Sequence, residues 1–139
     1  MTTDRRHKIL LLGGTTEARE IAEVLAACTE SEALMSLAGR TTFPAAFPIP
    51  VRTGGFGGAE GLASFLRENG FDLIINATHP YATQMWRNAI DAARLADVPL
   101  VAFHRPPWTP TTADKWTQVD GVAGAITVLG RRKARNVFL

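Results

Sequence analysis

The sequence predicts an α/β fold, an open and mostly parallel sheet with helices on both faces, from three observations. Short unbroken apolar runs recur along the chain, as strands buried on both faces require. Stretches with apolar residues at helical spacing alternate with them. Most of the apolar runs end at glycine, proline or a small polar residue, where a crossover connection can begin. The 139 residues, 46 % hydrophobic and 20 % charged, suffice for one core and exclude a wholly disordered chain. No apolar run approaches the roughly 18 residues that span a bilayer, so neither a membrane span nor a secretory signal is expected. A net charge of +2 does not call for nucleic acid, and the lone Cys28 fits a reducing cytoplasm.

Residues 9–12 are the first strand, stopped by Gly13 and Gly14. The helix over residues 16–28 carries Ile21, Val24, Leu25 and Cys28 at helical spacing, with Cys28 expected as inert packing. Residues 33–38 are the second strand, ending at Gly39-Arg40. Pro44, Pro48 and Pro50 exclude a central strand over much of the next stretch and leave a short edge piece at Val51-Arg52. Leu62, Phe65 and Leu66 mark a helix that stops at Asn69-Gly70. Residues 71–77 are a central strand. Pro80 suits the first helical position, where its missing N–H costs nothing, and the helix is expected from about Tyr81 to Ala96. Residues 98–103 form the fifth strand, 116–119 a sixth short one, and 122–129 a last helix. Together they predict a Rossmann-like domain over residues 1–130. After a basic run at 131–135 a new strand signal opens at Asn136, so 131–139 is expected to be a basic linker and the start of a truncated second domain.

In such a sheet ligands bind beyond the carboxyl ends of the strands. The first loop there is Gly13-Gly14-Thr15-Thr16-Glu17, and the N–H groups of Gly14, Thr15 and Thr16 suit a phosphate, with the helix dipole behind them. The dinucleotide fingerprint is met only in part, because Thr15 stands in place of its second glycine; a tight strand-to-helix turn would use the same glycines. Where an NAD site usually has an acid for the ribose, Gly39-Arg40-Thr41 offers a guanidinium and a hydroxyl. That favours a 2′-phosphate and hence NADPH over NADH, unless Arg40 is merely a solvated loop residue. Gly54, Gly55, Phe56 and Gly57 let backbone lie against a flat ligand, or make a plain turn. Thr78-His79-Pro80-Tyr81 carries two groups able to donate a proton, His79 and Tyr81; a helix cap with a packed ring is the plainer reading. Arg105 suits a substrate carboxylate and Trp108 a stacked ring. The histidines, at 7, 79 and 104, have no metal-ligand spacing, so no metal is expected. Nothing matches a nucleophile elbow or a phosphate-binding Walker loop.

The ordered set of loops at residues 13–19, 38–41, 54–58, 76–82 and 105–108 resembles the precorrin-6A reductase family of cobalamin biosynthesis, from Lys8 to about Trp116. The resemblance implies hydride transfer from a nicotinamide cofactor to one carbon–carbon double bond of a carboxylate-rich tetrapyrrole, the expected partner. It also implies a two-domain protein, in keeping with the strand signal at Asn136. The proton comes from His79, Tyr81 or solvent. A non-catalytic nucleotide-binding or regulatory module of the same fold is the alternative. The basic run at 131–135 lacks interleaved aromatics and is not read as a nucleic-acid site.

Overall fold

The computed structural model describes residues 5–39, 46–106 and 108–130, and divides into two units, Met1–Arg105 and Pro106–Leu139. In the first unit the chain runs β1 (His7–Leu12), α1 (Thr16–Ala27), β2 (Ser31–Leu37), β3 (Val51–Thr53), α2 (Gly58–Asn69), β4 (Leu73–Asn76), α3 (Thr83–Ala96), β5 (Leu100–Ala102). The strands are all parallel, in the order β3-β2-β1-β4-β5. The chain therefore winds outward from β1 through β2 to β3, then crosses back to lay β4 on the other side of β1. The switch point between β1 and β4 is where such sheets open a crevice.

Strand β1 shows why a central parallel strand reads as an apolar run. Leu10 and Leu12 point into a core with Leu62 and Leu66 of α2 and Ala89 and Ala92 of α3; Ile9 and Leu11 point into the opposite core with Ala18 and Ala22 of α1. Leu10 and Leu11 are fully buried. Each such leucine contributes about 1.5–3 kcal/mol relative to exposure. Among the described residues no helix joins β2 to β3; Ile49 is buried and Phe47 packs beside it on the α1 face.

The first helix is rotated from the expected face. Ala18 and Ala22 take the sheet contact and Val24 is 70 % exposed, because small residues let the helix axis approach the strands. Cys28 is the residue that caps this helix, donating its N–H to Leu25, and it is exposed rather than packed. Pro80 does not begin α3. It sits in a turn closed by the Ala82 N–H on the His79 carbonyl at 2.8 Å, and the helix starts at Thr83. Gly70 ends α2 in the left-handed conformation (φ 64°), as the Asn69-Gly70 signal predicts.

In the second unit α4 spans Val122–Gly130 and buries no residue. Residues 116–119 form no strand: a β-prone run needs a partner edge, and none pairs with it among the described residues. Arg40, Thr41 and the expected linker and domain start at 131–139 lie outside the described residues. Among the described residues no helix is long and apolar enough to cross a membrane.

Candidate functional site

The parallel ladder runs one residue past the strand ends. The Gly13 N–H donates to the Ser36 carbonyl (3.0 Å), Gly54 to Leu37 (2.9 Å), Ala77 to Leu12 (2.9 Å) and Phe103 to Asn76 (2.9 Å). Each loop therefore leaves the sheet at a fixed position. Between the loops lies a cleft of about 200 Å³ lined by Leu12, Gly13, Ser36, Leu37, Ala38, residues 54–58, Thr78, Met85 and Asn88.

Thr15 explains why the second fingerprint glycine is missing. Its hydroxyl accepts from the Ala18 N–H at 3.1 Å, capping α1, and donates to the Ala77 carbonyl at 2.7 Å, bridging the switch point. Gly14 holds φ +118°, a conformation that side chains rarely adopt, and the space a Cβ would enter is open. The N–H groups of Gly14, Thr15 and Thr16 have no acceptor among the described residues. They sit at the positive end of α1, a fit for an anionic phosphate.

Glu17 would oppose such an anion if its charge stood alone. Its carboxylate instead accepts from Arg105 Nε, and that hydrogen bond, with the guanidinium charge, holds its pKa below the usual carboxylate value. Two residues expected to face different ligands, Glu17 and Arg105, are thus paired with each other. The pair ties the segment after β5 to the first turn of α1.

On the other side of the cleft, Gly39 (φ 80°) lies against Gly54: a Cβ there would stand 3.4 Å from the Gly54 nitrogen. Phe56 packs on Phe65 with ring centroids 5.1 Å apart. Gly61 of α2 lets the Phe56 carbonyl come so close that a Cβ would stand 1.7 Å from its oxygen. The glycine run is therefore a wall in a fixed position.

At the end of β4 the buried Asn76 accepts from the Thr78 N–H (3.1 Å) and hydroxyl (2.8 Å) through Oδ1, while its Nδ2 is buried without a partner among the described residues. That orphaned donor beside a cleft-lining threonine is a second feature that fits a polar ligand. His79 and Tyr81 are exposed, with ring centroids 5.2 Å apart, and neither lines the cleft. The Tyr81 N–H donates to His79 Nδ1 at 3.3 Å, which assigns the ring proton of neutral His79 to Nε2. Trp108 belongs to the second unit and is 83 % exposed.

Of the residues singled out from sequence, Gly13, Gly54, Gly55, Phe56, Gly57 and Thr78 line one cleft, and Gly14, Thr15 and Thr16 form the loop after β1 beside it. Sequence reasoning missed Ser36, Gly61 and Asn76. A polar residue at the carboxyl end of an otherwise apolar strand was the available signal for Ser36 and Asn76.

Sheet order, switch-point loop and glycine-walled cleft define a Rossmann-like α/β module. The family model described as Precorrin-6x reductase CbiJ/CobK matches residues 8–139, and the chain belongs to that family. A precorrin-6A reductase from a Sinorhizobium species is 49 % identical over 132 residues, which cover 95 % of this chain and 50 % of that protein. A solved CobK precorrin-6A reductase superposes with a TM-score of 0.81 at 46 % identity, over 87 % of this chain and 48 % of that one. A Rossmann-fold NAD(P)-binding family protein from Shigella flexneri shares the fold alone, with a TM-score of 0.55 at 18 % identity over 69 % of this chain and 50 % of that one. The chain spans about half the length of the curated relatives it matches.

Proposed function

We propose that this chain is the nicotinamide-nucleotide-binding part of a precorrin-6A reductase and takes NADPH in preference to NADH. The observation that carries the reading is the loop after β1: three N–H groups without acceptors among the described residues, at the start of α1, beside a cleft at the switch point. The kinship with precorrin-6A reductases supplies the substrate class, a tetrapyrrole. Such chemistry belongs in a reducing cytoplasm, where the free Cys28 is at home.

When bound, the nicotinamide supplies a hydride to one carbon of the reduced double bond. The chain's own work is binding and orientation. Gly14, Thr15 and Thr16 hold the pyrophosphate through backbone N–H groups, with open space ahead of Gly14, while Gly13 lets Met35 and Ala18 pack beneath the loop. Gly39, Gly54, Gly55, Phe56 and Gly57 wall the nucleotide, while Thr78 closes the far side. Arg40 and Thr41 are the sequence-derived contacts to the 2′-phosphate. Arg105 receives a substrate carboxylate, which must compete with Glu17 for the guanidinium. Trp108 is the sequence-derived candidate for stacking on a substrate ring. The neighbouring carbon needs a proton, for which His79 Nε2–H and the Tyr81 hydroxyl are the candidates.

The test joins this chain to the remaining half of the Sinorhizobium relative and follows NADPH oxidation under anaerobic conditions with precorrin-6A. Oxidation that depends on the tetrapyrrole and is faster with NADPH than with NADH is the expected result. A folded chimera that binds nucleotide yet leaves precorrin-6A unchanged would contradict it.

A further inference from the structure

Arg52, on edge strand β3, is held where the nucleotide cleft has its wall. Its Nη1 donates to the Ser36 hydroxyl at 2.7 Å and to the Gly54 carbonyl at 3.1 Å, and its Nη2 donates to the Gly55 carbonyl at 3.2 Å. The guanidinium lies over Phe56, 4.0 Å from the ring centroid. Ser36, Gly54, Gly55 and Phe56 all line the cleft.

This placement is more than a clamp needs. Neutral donors would satisfy a hydroxyl and two carbonyls, whereas a half-buried cation without an anion carries a desolvation penalty that its partners only partly offset. Arg52 takes part in no ion pair among the described residues. Nε–H and one Nη2 hydrogen have no acceptor among them either. A guanidinium fixed by three hydrogen bonds and an aromatic face, with donors to spare, is preorganised for a phosphate. Its register partner is Ser36, one residue before the end of β2, the strand end that reads the ribose in such sheets.

We propose that Arg52 is a specificity-determining residue that binds the 2′-phosphate of the nucleotide. The proposal rests on the nicotinamide-nucleotide reading and adds to it a described cation bonded to Ser36, Gly54 and Gly55 of the cleft wall.

The test is calorimetric titration of the full chain with 2′,5′-ADP and with 5′-AMP, for the wild type, Arg52→Gln and Arg52→Lys. The wild type should prefer 2′,5′-ADP. Arg52→Gln should weaken 2′,5′-ADP by roughly tenfold or more, the loss of a charged hydrogen bond, and leave 5′-AMP within about threefold. Arg52→Lys keeps the charge without the fork, so its preference should fall between the two; it decides the matter if the glutamine variant does not fold. Equal weakening of both ligands makes Arg52 a clamp only and overturns the proposal, as does a wild type with no preference. A folded wild type that binds neither ligand overturns the nucleotide reading as well.

Discussion

The Thr15 hydroxyl donates to the Ala77 carbonyl at 2.7 Å and so joins the loop after β1 to the loop after β4. These two loops flank the switch point of the sheet, and a single side chain fixes their spacing. The same oxygen caps α1 by accepting from Ala18. Thr15→Ala removes both bonds and should destabilise the protein by about 1–2 kcal/mol. Thr15→Ser keeps the hydroxyl and should stay close to wild type. Denaturant unfolding of the three proteins checks this, with the slope unchanged if the folded states are alike.

Gly14→Val places a branched side chain at φ +118° with open space ahead of it. The strain should cost on the order of 1–3 kcal/mol. The larger effect should be on nucleotide binding, because the side chain enters the space assigned to the pyrophosphate. Calorimetry with NADPH at a temperature where the variant is folded separates the two effects; normal binding would remove this loop from the site.

Gly61→Ala decides between two opposing tendencies. In an exposed helix interior the change stabilises by up to about 1 kcal/mol. Here the added Cβ would stand 1.7 Å from the Phe56 oxygen, so backbone must move. The protein should lose stability, by about 1–3 kcal/mol, the range for overpacking. A variant more stable than wild type in denaturant unfolding would show that α2 and the glycine run are not in the contact described.

Asp72 predicts a pH effect at the opposite edge of the sheet. Its carboxylate accepts from the Lys8 N–H at 2.8 Å and from Arg5 at 2.7 Å, and its pKa is lowered chiefly by the Lys8 N–H. A lowered folded-state pKa means that the unfolded chain takes up the proton first as pH falls. The stabilisation is therefore complete above the ordinary aspartate range and is lost as pH falls through the lowered value. Asp72→Asn should be less stable than wild type at neutral pH. Its unfolding midpoint should also fall less steeply through the acid range in a pH series.

The sheet was legible because β1 and β4 are buried on both faces, which leaves little choice but apolar residues in Leu10, Leu11 and Ile74. The glycine stops were legible for a local reason too: Gly14, Gly57 and Gly70 adopt positive φ. Pro80 misled because its fixed φ serves a tight turn as well as a first helical turn. Val24 and Cys28 misled because periodicity ranks residues by hydrophobicity, while the sheet contact went to Ala18 and Ala22. Residues 116–119 have strand propensity, but a strand is completed by its neighbour rather than by its own sequence. Arg52 and Ser36 were invisible as a pair because 16 residues separate them and only the β2–β3 register brings them within 2.7 Å.

Titrating NADPH into isotope-labelled protein and following backbone amide resonances shows whether the loops at the carboxyl edge bind a nicotinamide nucleotide. Saturable shifts should concentrate at residues 13–16, 54–58 and 78, with little change at Lys8 and Asp72, at the amino ends of β1 and β4. Shifts centred elsewhere, or none in a folded sample at millimolar NADPH, would contradict binding at these loops.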